Sequence, residues 1–461
     1  MLGARAAEPA SRWENSVCGH CTRAWLPALR YTYFPAELLL ACSPFPLYTF
    51  GESHSRTAMK LKIAFISRGL PGLLAVISLS LVPSQMLAAQ ITDAMVYLTD
   101  VPDYEWNWGC FGTASGNLAG YWDRHGMTNF YAGSIGGGLA PLNSFSGNSG
   151  IQSLWASSGH LSDYYANYEN TGPDPYVTFG RTEHPRDCIG DFIGLSQNKW
   201  SQATLNGECR GNIDAYSFVF WDKTGARRHN HYTTNAGVYI PDIGSGFKEW
   251  ARYRGYDADV FTQLADFNPE RTTNPSGFTF EDVKAEINAG YPILCFLQPN
   301  GQLSQNLNGA QNVNPPIHGV MIFGYFSDSV SGIAKGVIIR TSWATGDDYR
   351  KYTEWSGASW LGLFPVRGVI GFHPKPKVTR FSRNAGNITL NWDGPSARVY
   401  DEVSLQTTSP HRYCIQRSTS LSPANWKPIA GPTTDLSITF ADSSPSNSFY
   451  RVVQIGQGSC P

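Results

Sequence analysis

The chain has 461 residues, which is long enough for two or three domains with a substantial core. Aromatic residues make up 13% of it and charged residues only 15%, so the composition argues against a disordered protein and favours a rigid, secreted globular one. With a formal net charge of -1, the sequence offers no electrostatic reason to expect nucleic acid as a partner.

The first 89 residues contain no predicted domain. Residues 1–58 are interpreted as an upstream extension that is not part of the fold. Residues 59–89 start at Met59, carry basic side chains before the apolar run LPGLLAVISLSLV and end at Ala89, which is the layout of a secretory signal peptide. The apolar run is shorter than a membrane-spanning helix. We therefore expect secretion to the extracellular space or periplasm, with no stable membrane insertion after cleavage.

The mature chain, from residue 90, contains the stretch VPDYEWNWGCFGTASGNLAGYWDRHG. Small and apolar residues follow Cys110, and we predict a helix over 111–123 in which glycines recur every four residues on one face. A helix N-terminus favours the thiolate form of cysteine, so Cys110 is a candidate nucleophile. The competing interpretation is a buried structural cysteine.

Two further helices are predicted before residue 292. The first covers residues 245–266. Its inward-facing residues are predicted to be Trp250, Tyr253 and Phe261. The second begins after Thr279, an N-cap with Asp282 three residues further on, and ends at Gly290.

After residue 292 the periodicity changes to that of strands. The apolar, β-branched runs ILCFLQ, HGVMIFGY, KGVIIRTSW and GVIGF are separated by turn residues, as in an antiparallel sheet. Residues 90–372 are therefore predicted to form an α+β domain, with a helical half followed by a sheet half. Residues 373–461 show the short strands ITLNWD, YCIQRST, SITFAD and SFYRVVQ, which predict a small β-sandwich after the linker PKPKV. Its expected role is spacing, or attachment to a cell surface or cell wall.

The cysteines of the mature chain agree with export. In an oxidising compartment, the pairings that we expect are Cys188 with Cys209 and Cys414 with Cys460. Cys295 lies in the apolar run PILCFL and is predicted to be a buried free thiol.

A cysteine nucleophile needs an imidazole that accepts its proton. His318 is the best candidate, because it would stand at the start of a strand that follows a long polar loop. The other candidates are His184, and His229 with His231 in the segment RRHNH. The last two have no partners at a convincing metal-ligand spacing, so we expect neither a metal nor a cofactor.

A cysteine that opens a helix and a later histidine that opens a strand form the papain-type arrangement. The stretch WGCFGTASGNLAGYWDRHG resembles the nucleophile segment of the bacteriocin-processing-peptidase-like (C39-like) branch of the papain superfamily. The segments HPRDCIGDFIGLSQ and SWATGDDYRKYTEW extend the resemblance. It implies a papain-like fold, followed here by a fibronectin type III-like β-sandwich. It also implies that Cys110 is the nucleophile and His318 the base of a secreted peptidase or amidase that forms an acyl-enzyme with a peptide or protein substrate.

Two positions depart from the family's pattern. The orienting Asp or Asn is replaced by Thr341, which accepts a hydrogen bond but cannot offset an imidazolium charge; Asp347 and Asp348 follow in the next loop. The oxyanion glutamine, about six residues before the cysteine, corresponds to Tyr104. A tyrosine hydroxyl donates a comparable hydrogen bond, and the Cys110 backbone N–H would be the second donor.

These departures leave two alternatives to a peptidase. One is a catalytically degenerate domain that serves as a cell-surface binding module. The other is an acyltransferase of the transglutaminase-like type, which uses the same pair of residues.

Overall fold

The structure is a computed structural model that describes residues 94–131, 138–144, 149–164, 172–173, 182–195, 208–209, 231–233, 239–241, 243–266, 277–297, 318–329, 333–342, 351–355, 359–360, 364–443 and 448–461. The predicted upstream extension and signal peptide lie outside these residues. The described residues belong to one compact unit. None of their helices is both long enough and apolar enough to cross a membrane.

The chain is a mixture of helices and antiparallel strands, as predicted for the α+β class. The helices within the described ranges are α1 (Cys110–Arg124), α2 (Ser149–Gln152), α3 (Ser158–Tyr164), α4 (Ile189–Ile193), α5 (Ile243–Tyr253) and α6 (Phe280–Asn288). The strands up to residue 297 are β1 (Met95–Leu98), β2 (Asp103–Tyr104), β3 (Asn143–Ser144), β4 (Gly172–Pro173), β5 (Glu208–Cys209), β6 (His231–Thr233), β7 (Tyr239–Pro241), β8 (Ala258–Leu264) and β9 (Ile293–Leu297). The later strands are β10 (His318–Asp328), β11 (Ile333–Arg340), β12 (Lys351–Glu354), β13 (Ser359–Trp360), β14 (Phe364–Pro374), β15 (Lys377–Asn384), β16 (Asn387–Asp393), β17 (Val399–Asp401), β18 (Gln406–Thr408), β19 (Arg412–Ser418), β20 (Lys427–Thr433), β21 (Ser437–Ala441) and β22 (Phe449–Ile455).

A ten-stranded antiparallel sheet forms the framework of the larger core. Its main path runs β13-β14-β9-β10-β1-β17-β18, with β11 and β12 added beside β10 and β8 added beside β14. The long strand β10 pairs with β9 at its start, where His318 is opposite Leu297, and with β11 further along, where Met321 is opposite Arg340. Strand β10 is therefore held in the sheet between β9 and β11.

Helix α1 is buried almost completely against this sheet and its neighbouring loops. The sequence predicts that the glycine face lets another backbone approach closely, but the nearest neighbours in the structure are aromatic side chains. A Cβ atom at Gly112 or Gly116 would overlap the Trp155 ring, and one at Gly120 would overlap the Tyr104 hydroxyl. The far end of the helix is anchored by Asp123, whose carboxylate accepts hydrogen bonds from the backbone N–H groups of Tyr131 (3.0 Å) and Ala140 (2.9 Å).

The prediction of one helix over residues 245–266 is wrong in its second half. Helix α5 ends at Tyr253, and Gly255 then adopts a φ of +84°, a left-handed conformation that stops the helix. The following residues form β8, which pairs with β14, so Phe261 is buried in a strand. Tyr253 is 50% exposed instead of facing the core. Sheet pairing outweighs the weak helical pattern in this region.

The prediction for α6 is confirmed. The Thr279 hydroxyl accepts a hydrogen bond from the Asp282 backbone N–H (3.3 Å), and the Asp282 carboxylate accepts one from the Thr279 backbone N–H (2.8 Å). This reciprocal pair satisfies two of the donors that a helix N-terminus leaves open. Beyond the helix, Gly290 has a φ of +87°.

The C-terminal segment has its own small core. Two three-stranded sheets, β15-β16-β21 and β20-β19-β22, enclose the buried side chains of Ile388, Leu390, Trp392, Tyr413 and Ile415. The predicted disulfide between Cys414 and Cys460 is confirmed, with a Cα–Cα distance of 5.6 Å.

The predicted linker PKPKV is not a free connection. Strand β14 continues to Pro374 and β15 starts at Lys377, while the Lys375 backbone N–H donates to the Asp257 carbonyl (2.8 Å). Moreover, the hairpin β17–β18, which is inserted between β16 and β19, joins the large sheet by pairing with β1. The two cores are therefore joined by shared sheet hydrogen bonds.

The other cysteine predictions have different outcomes. Cys295 is a buried free thiol, as predicted. The predicted disulfide between Cys188 and Cys209 is wrong, because Cys188 is also a free thiol. Its sulfur donates a hydrogen bond to the Asp191 carboxylate (3.2 Å) at the start of α4.

Replacing Gly116 with alanine tests the contact between α1 and Trp155. In an exposed helix this change stabilises a protein by up to about 1 kcal/mol. Here the new methyl group would overlap the buried indole, so we expect Gly116→Ala to lower the free energy of unfolding by about 1–3 kcal/mol. Urea unfolding measures the change. Gly456→Ala is the matched control, because its new Cβ would meet nothing within 4 Å and should change the free energy by less than about 0.5 kcal/mol.

A second prediction concerns the free energy of unfolding at acidic pH. Burial, together with the nearby His125 and His373, lowers the pKa of His411 to about 3. The unfolded chain takes up this proton near pH 6.5, so the free energy of unfolding falls as the pH drops from about 6.5 towards 3. We expect His411→Gln, which cannot take up the proton, to make this fall shallower by up to about 1.4 kcal/mol per pH unit between pH 6.5 and roughly pH 4.

Urea titrations at a series of pH values measure this slope for the wild type and the variant. Thr279→Ala serves as the control, because it removes a helix cap without removing a titratable group. Parallel pH profiles for the wild type and His411→Gln would contradict the prediction.

Candidate active site

Cys110 is the first residue of α1 and is 4% exposed. The two residues before it adopt left-handed backbone conformations, with a φ of 55° at Trp108 and 115° at Gly109. A non-glycine residue in this region carries a conformational cost of order 1–3 kcal/mol, which the surrounding contacts must offset. The first turn of α1 contains no acidic residue, so no charge within that turn opposes the effect of the helix dipole on the thiol.

The turn before Cys110 is fixed by side chains of the helical half. The Thr113 hydroxyl donates to the Gly109 carbonyl (2.9 Å), and the Trp155 indole N–H donates to the Asn107 carbonyl (2.8 Å). Trp155 thus contacts both the glycine face of α1 and the loop that leads into it. The position of Cys110 depends on these contacts.

His318 is the first residue of β10 and is 1% exposed. Its neighbour Gly319 packs against the ring of Phe111. A Cβ atom added to Gly319 would lie 2.7 Å from Phe111 Cδ1. Because Phe111 follows Cys110 and Gly319 follows His318, this contact brings the start of α1 beside the start of β10. The predicted nucleophile and base therefore stand on adjoining segments.

The imidazole of His318 is held in its neutral form. Burial lowers its pKa to about 3, and the nearby Thr341 backbone opposes this shift. At neutral pH the ring therefore has a lone pair that can accept a proton. Thr341 is buried and contributes to the environment of His318 through its main chain, whereas the sequence pattern pointed to its side chain.

The segment that contains Thr341 is tied to the segment that precedes Cys110. The Trp106 backbone N–H donates to the Ser342 carbonyl (2.7 Å), and Ser342 has a φ of 64°. The guanidinium group of Arg340 donates to the Val101 carbonyl (3.0 Å). The segment before Cys110, the segment around Thr341 and the start of β10 at His318 therefore converge, although they are distant in sequence.

Tyr104 is not placed for the predicted oxyanion role. Its hydroxyl donates to the Pro141 carbonyl (2.9 Å) and packs against Gly120, ten residues or about 15 Å along α1 from Cys110. Burial also raises the pKa of this hydroxyl. The offset of six residues in the sequence predicted that the Tyr104 hydroxyl lies near Cys110, at the start of α1. It lies further along the helix, because the chain from Tyr104 runs alongside α1 before it turns into Cys110.

Trp108 offers an indole N–H that no sequence pattern indicated. Its Nε1 is buried and has no hydrogen-bond partner among the residues that the structure describes. Trp108 also lies two residues before Cys110, in the strained turn. A buried donor without an acceptor is costly, so Trp108 is a candidate donor to a bound ligand.

Of the other candidate bases, His184 is engaged elsewhere. Both ring nitrogens of His184 face carboxylates, Nδ1 towards Asp163 (2.7 Å) and Nε2 towards Asp191 (3.1 Å). The side chain of His231 lies outside the described part of the chain, as do His229, Asp347 and Asp348.

No protein-family model, curated protein or solved structure matches this chain. The function therefore has to be argued from the site. A thiol at a helix N-terminus, a neutral imidazole on an adjoining segment and an indole N–H two residues before the thiol are the types of group that acyl transfer requires.

Proposed function

We propose that the chain is a secreted cysteine peptidase or amidase of the papain-like type, with Cys110 as the nucleophile and His318 as the base. The observation that carries this proposal is the contact between Phe111 and Gly319, which brings the two segments together. The left-handed backbone at Trp108 and Gly109 supports it, because strain of this kind concentrates at functional sites.

Acylation starts from a neutral thiol and a neutral imidazole. The His318 ring accepts the thiol proton while the Cys110 sulfur attacks the carbonyl carbon of a peptide or amide. The C=O π electrons move onto the oxygen, which receives hydrogen bonds from the Cys110 backbone N–H and the Trp108 indole N–H. When the tetrahedral intermediate collapses, the imidazolium returns its proton to the leaving amine and a thioester remains on Cys110.

Deacylation reverses these roles. The His318 ring takes a proton from a water molecule, and the resulting hydroxide attacks the thioester carbonyl. The carbon–sulfur bond breaks, the proton returns to the Cys110 sulfur and the carboxylic acid product leaves. No metal or organic cofactor is used, because each step needs only a proton acceptor, a nucleophile and hydrogen-bond donors.

Burial of His318 makes its charged form unfavourable, and the Thr341 side chain in the orienting slot carries no carboxylate that would offset that charge. The main chain of Thr341 then orients the ring without neutralising it. A missing carboxylate lowers the rate of catalysis by several orders of magnitude in other triads but does not abolish it.

The C-terminal segment has a supporting role in this proposal. Two facing three-stranded sheets support a fibronectin type III-like sandwich, and the Cys414–Cys460 disulfide supports export to an oxidising compartment. Because the hairpin β17–β18 extends the large sheet, any attachment of this segment to a cell surface or cell wall would hold the active site at a fixed orientation.

The deep burial of both Cys110 and His318 favours one other candidate, a binding module that retains the fold without turnover. A closed site admits substrate only if neighbouring segments open. The reactivity of the thiol distinguishes the two candidates.

Iodoacetamide labelling tests the proposal. Among the free thiols that the structure describes, we expect labelling on Cys110 alone, because burial raises the pKa of the Cys188 and Cys295 thiols and leaves them inert. Replacing the base, as in His318→Gln, should slow labelling by about 10²-fold or more at neutral pH. Mass spectrometry of tryptic peptides gives the labelled residue and the rate.

The matched control is Cys295→Ser, which removes another buried thiol and should leave the labelling rate unchanged. Equal labelling rates for the wild type and His318→Gln, with both proteins folded by circular dichroism, would refute the assignment of His318 as the base. An unreactive Cys110 in the folded wild type would favour the binding module.

A separate variant tests how Thr341 acts. If only its main chain contacts the ring, Thr341→Val keeps the shape of the side chain and should change the Cys110 labelling rate by less than about fivefold, which is under 1 kcal/mol. A loss of about 50-fold or more would show that the hydroxyl is required.

A further inference from the structure

A second cluster of reactive side chains lies behind α1, apart from the proposed active site. It consists of His160 from α3 together with Cys188 and Asp191, which flank the start of α4. One ligand atom from each residue lies within 4.8 Å of the other two, and the three side chains are at most 1% exposed. Buried sulfur, nitrogen and oxygen atoms therefore converge on one small volume.

The contacts in this cluster centre on the Asp191 carboxylate. Its Oδ1 lies 2.7 Å from His160 Nδ1, and its Oδ2 lies 3.2 Å from Cys188 Sγ. Ligand atoms around a tetrahedral zinc ion, bound at about 2.0–2.3 Å, are separated by roughly 3.3–3.8 Å. Small side-chain adjustments would therefore place an ion among the three.

Asp191 Oδ2 has enough hydrogen-bond donors without the thiol of Cys188. Oδ2 already accepts from the backbone N–H groups of Asp187 (2.9 Å) and Cys188 (3.1 Å), and His184 Nε2 lies 3.1 Å away. A carboxylate oxygen has two lone pairs, so four donors on one oxygen outnumber its acceptor capacity. This crowding is explained if the sulfur and the carboxylate share a cation.

The ligand types of the cluster indicate which metal ion it would bind. Thiolate and imidazole ligands favour zinc over magnesium or calcium, which prefer sites made of oxygen atoms alone. We propose that His160, Cys188 and Asp191 bind a zinc ion. His184 is the nearest source of a fourth ligand, and its Nδ1 is oriented by Asp163 at 2.7 Å. On binding, Cys188 releases its thiol proton to solvent and the sulfur forms the metal bond.

The zinc ion connects two segments that support α1. The Gly190 backbone N–H donates to the Trp155 carbonyl (3.0 Å), and the ring of Trp155 packs on Gly112 and Gly116. A metal between α3 and α4 therefore restrains the residue that positions the turn before Cys110. The proposal does not rest on the peptidase assignment, because it concerns other residues.

The expectation that the chain binds no metal rested on His229 and His231. The cluster uses different residues, whose spacing in the sequence is irregular because His160 lies on α3 and Cys188 is the N-cap of α4. Only the folded chain brings them together.

Metal analysis of the full secreted chain tests this proposal. The protein is stripped with a chelator, re-equilibrated with zinc, dialysed and analysed by mass spectrometry for metal content. We expect one zinc per chain in the wild type and in the control Cys295→Ser. For Cys188→Ser we expect at least a tenfold loss of zinc affinity. Cobalt substitution provides a second readout, since a thiolate-to-cobalt absorption band should be present in the wild type and absent in Cys188→Ser.

Thermal unfolding separates a zinc site from a hydrogen-bonded network. Zinc should raise the Tm of the wild type and of Cys295→Ser, and should leave the Tm of Cys188→Ser unchanged. The proposal is overturned if the wild type retains less than a stoichiometric amount of zinc, or if Cys188→Ser binds zinc as tightly as the wild type. Cys110 labelling, which needs no zinc analysis, reports separately on the peptidase proposal.

Discussion

The packing of the Trp155 indole on the glycine face of α1 is the contact on which the rest of the site depends. Glycine is a poor helix former, so Gly112 and Gly116 weaken α1 unless a neighbour fills the space they leave. Trp155 fills that space and also donates to the Asn107 carbonyl in the turn before Cys110. One side chain therefore stabilises the helix and positions the loop that ends at the thiol.

The sheet half supplies the second set of restraints. Trp106 is hydrogen-bonded to Ser342, and Phe111 packs on Gly319, so the chain on either side of Cys110 is attached to β10 or to the segment that follows β11. The left-handed residues Trp108 and Ser342 lie where these segments meet. Backbone strain at this junction is offset by the large core that surrounds it, which is how a folded protein holds a backbone conformation that a short peptide would not adopt.

Local signals in the sequence were sufficient for elements whose stability is local. The helix from Cys110, the capping box at Thr279 and the strand beginning at His318 were predictable, because spacing and caps act within a few residues. The Cys414–Cys460 disulfide spans 46 residues, and its prediction rested on the expected oxidising compartment instead of a local signal. The segment from residue 254 to 266 was not predictable, because its strand is stabilised by pairing with β14, more than a hundred residues away.

The candidate site likewise combines features that local sequence predicts with features that depend on distant packing. The sequence predicted that Cys110 stands at the start of a helix and His318 at the start of a strand, whereas the position of Tyr104 and the main-chain contact of Thr341 depend on how the elements pack. Trp108 and the cluster around Asp191 gave no pattern in the sequence, since burial and convergence arise only in the folded chain.

The central claim is that Cys110 forms an acyl-enzyme with the help of His318. The most direct measurement is intact-mass and peptide mass spectrometry of the chain after brief exposure to p-nitrophenyl acetate, followed by hydroxylamine. The account predicts a single acetyl group on the peptide that contains Cys110, removed by hydroxylamine and absent from Cys110→Ala. An unmodified Cys110, or the same adduct in Cys110→Ala, would contradict it.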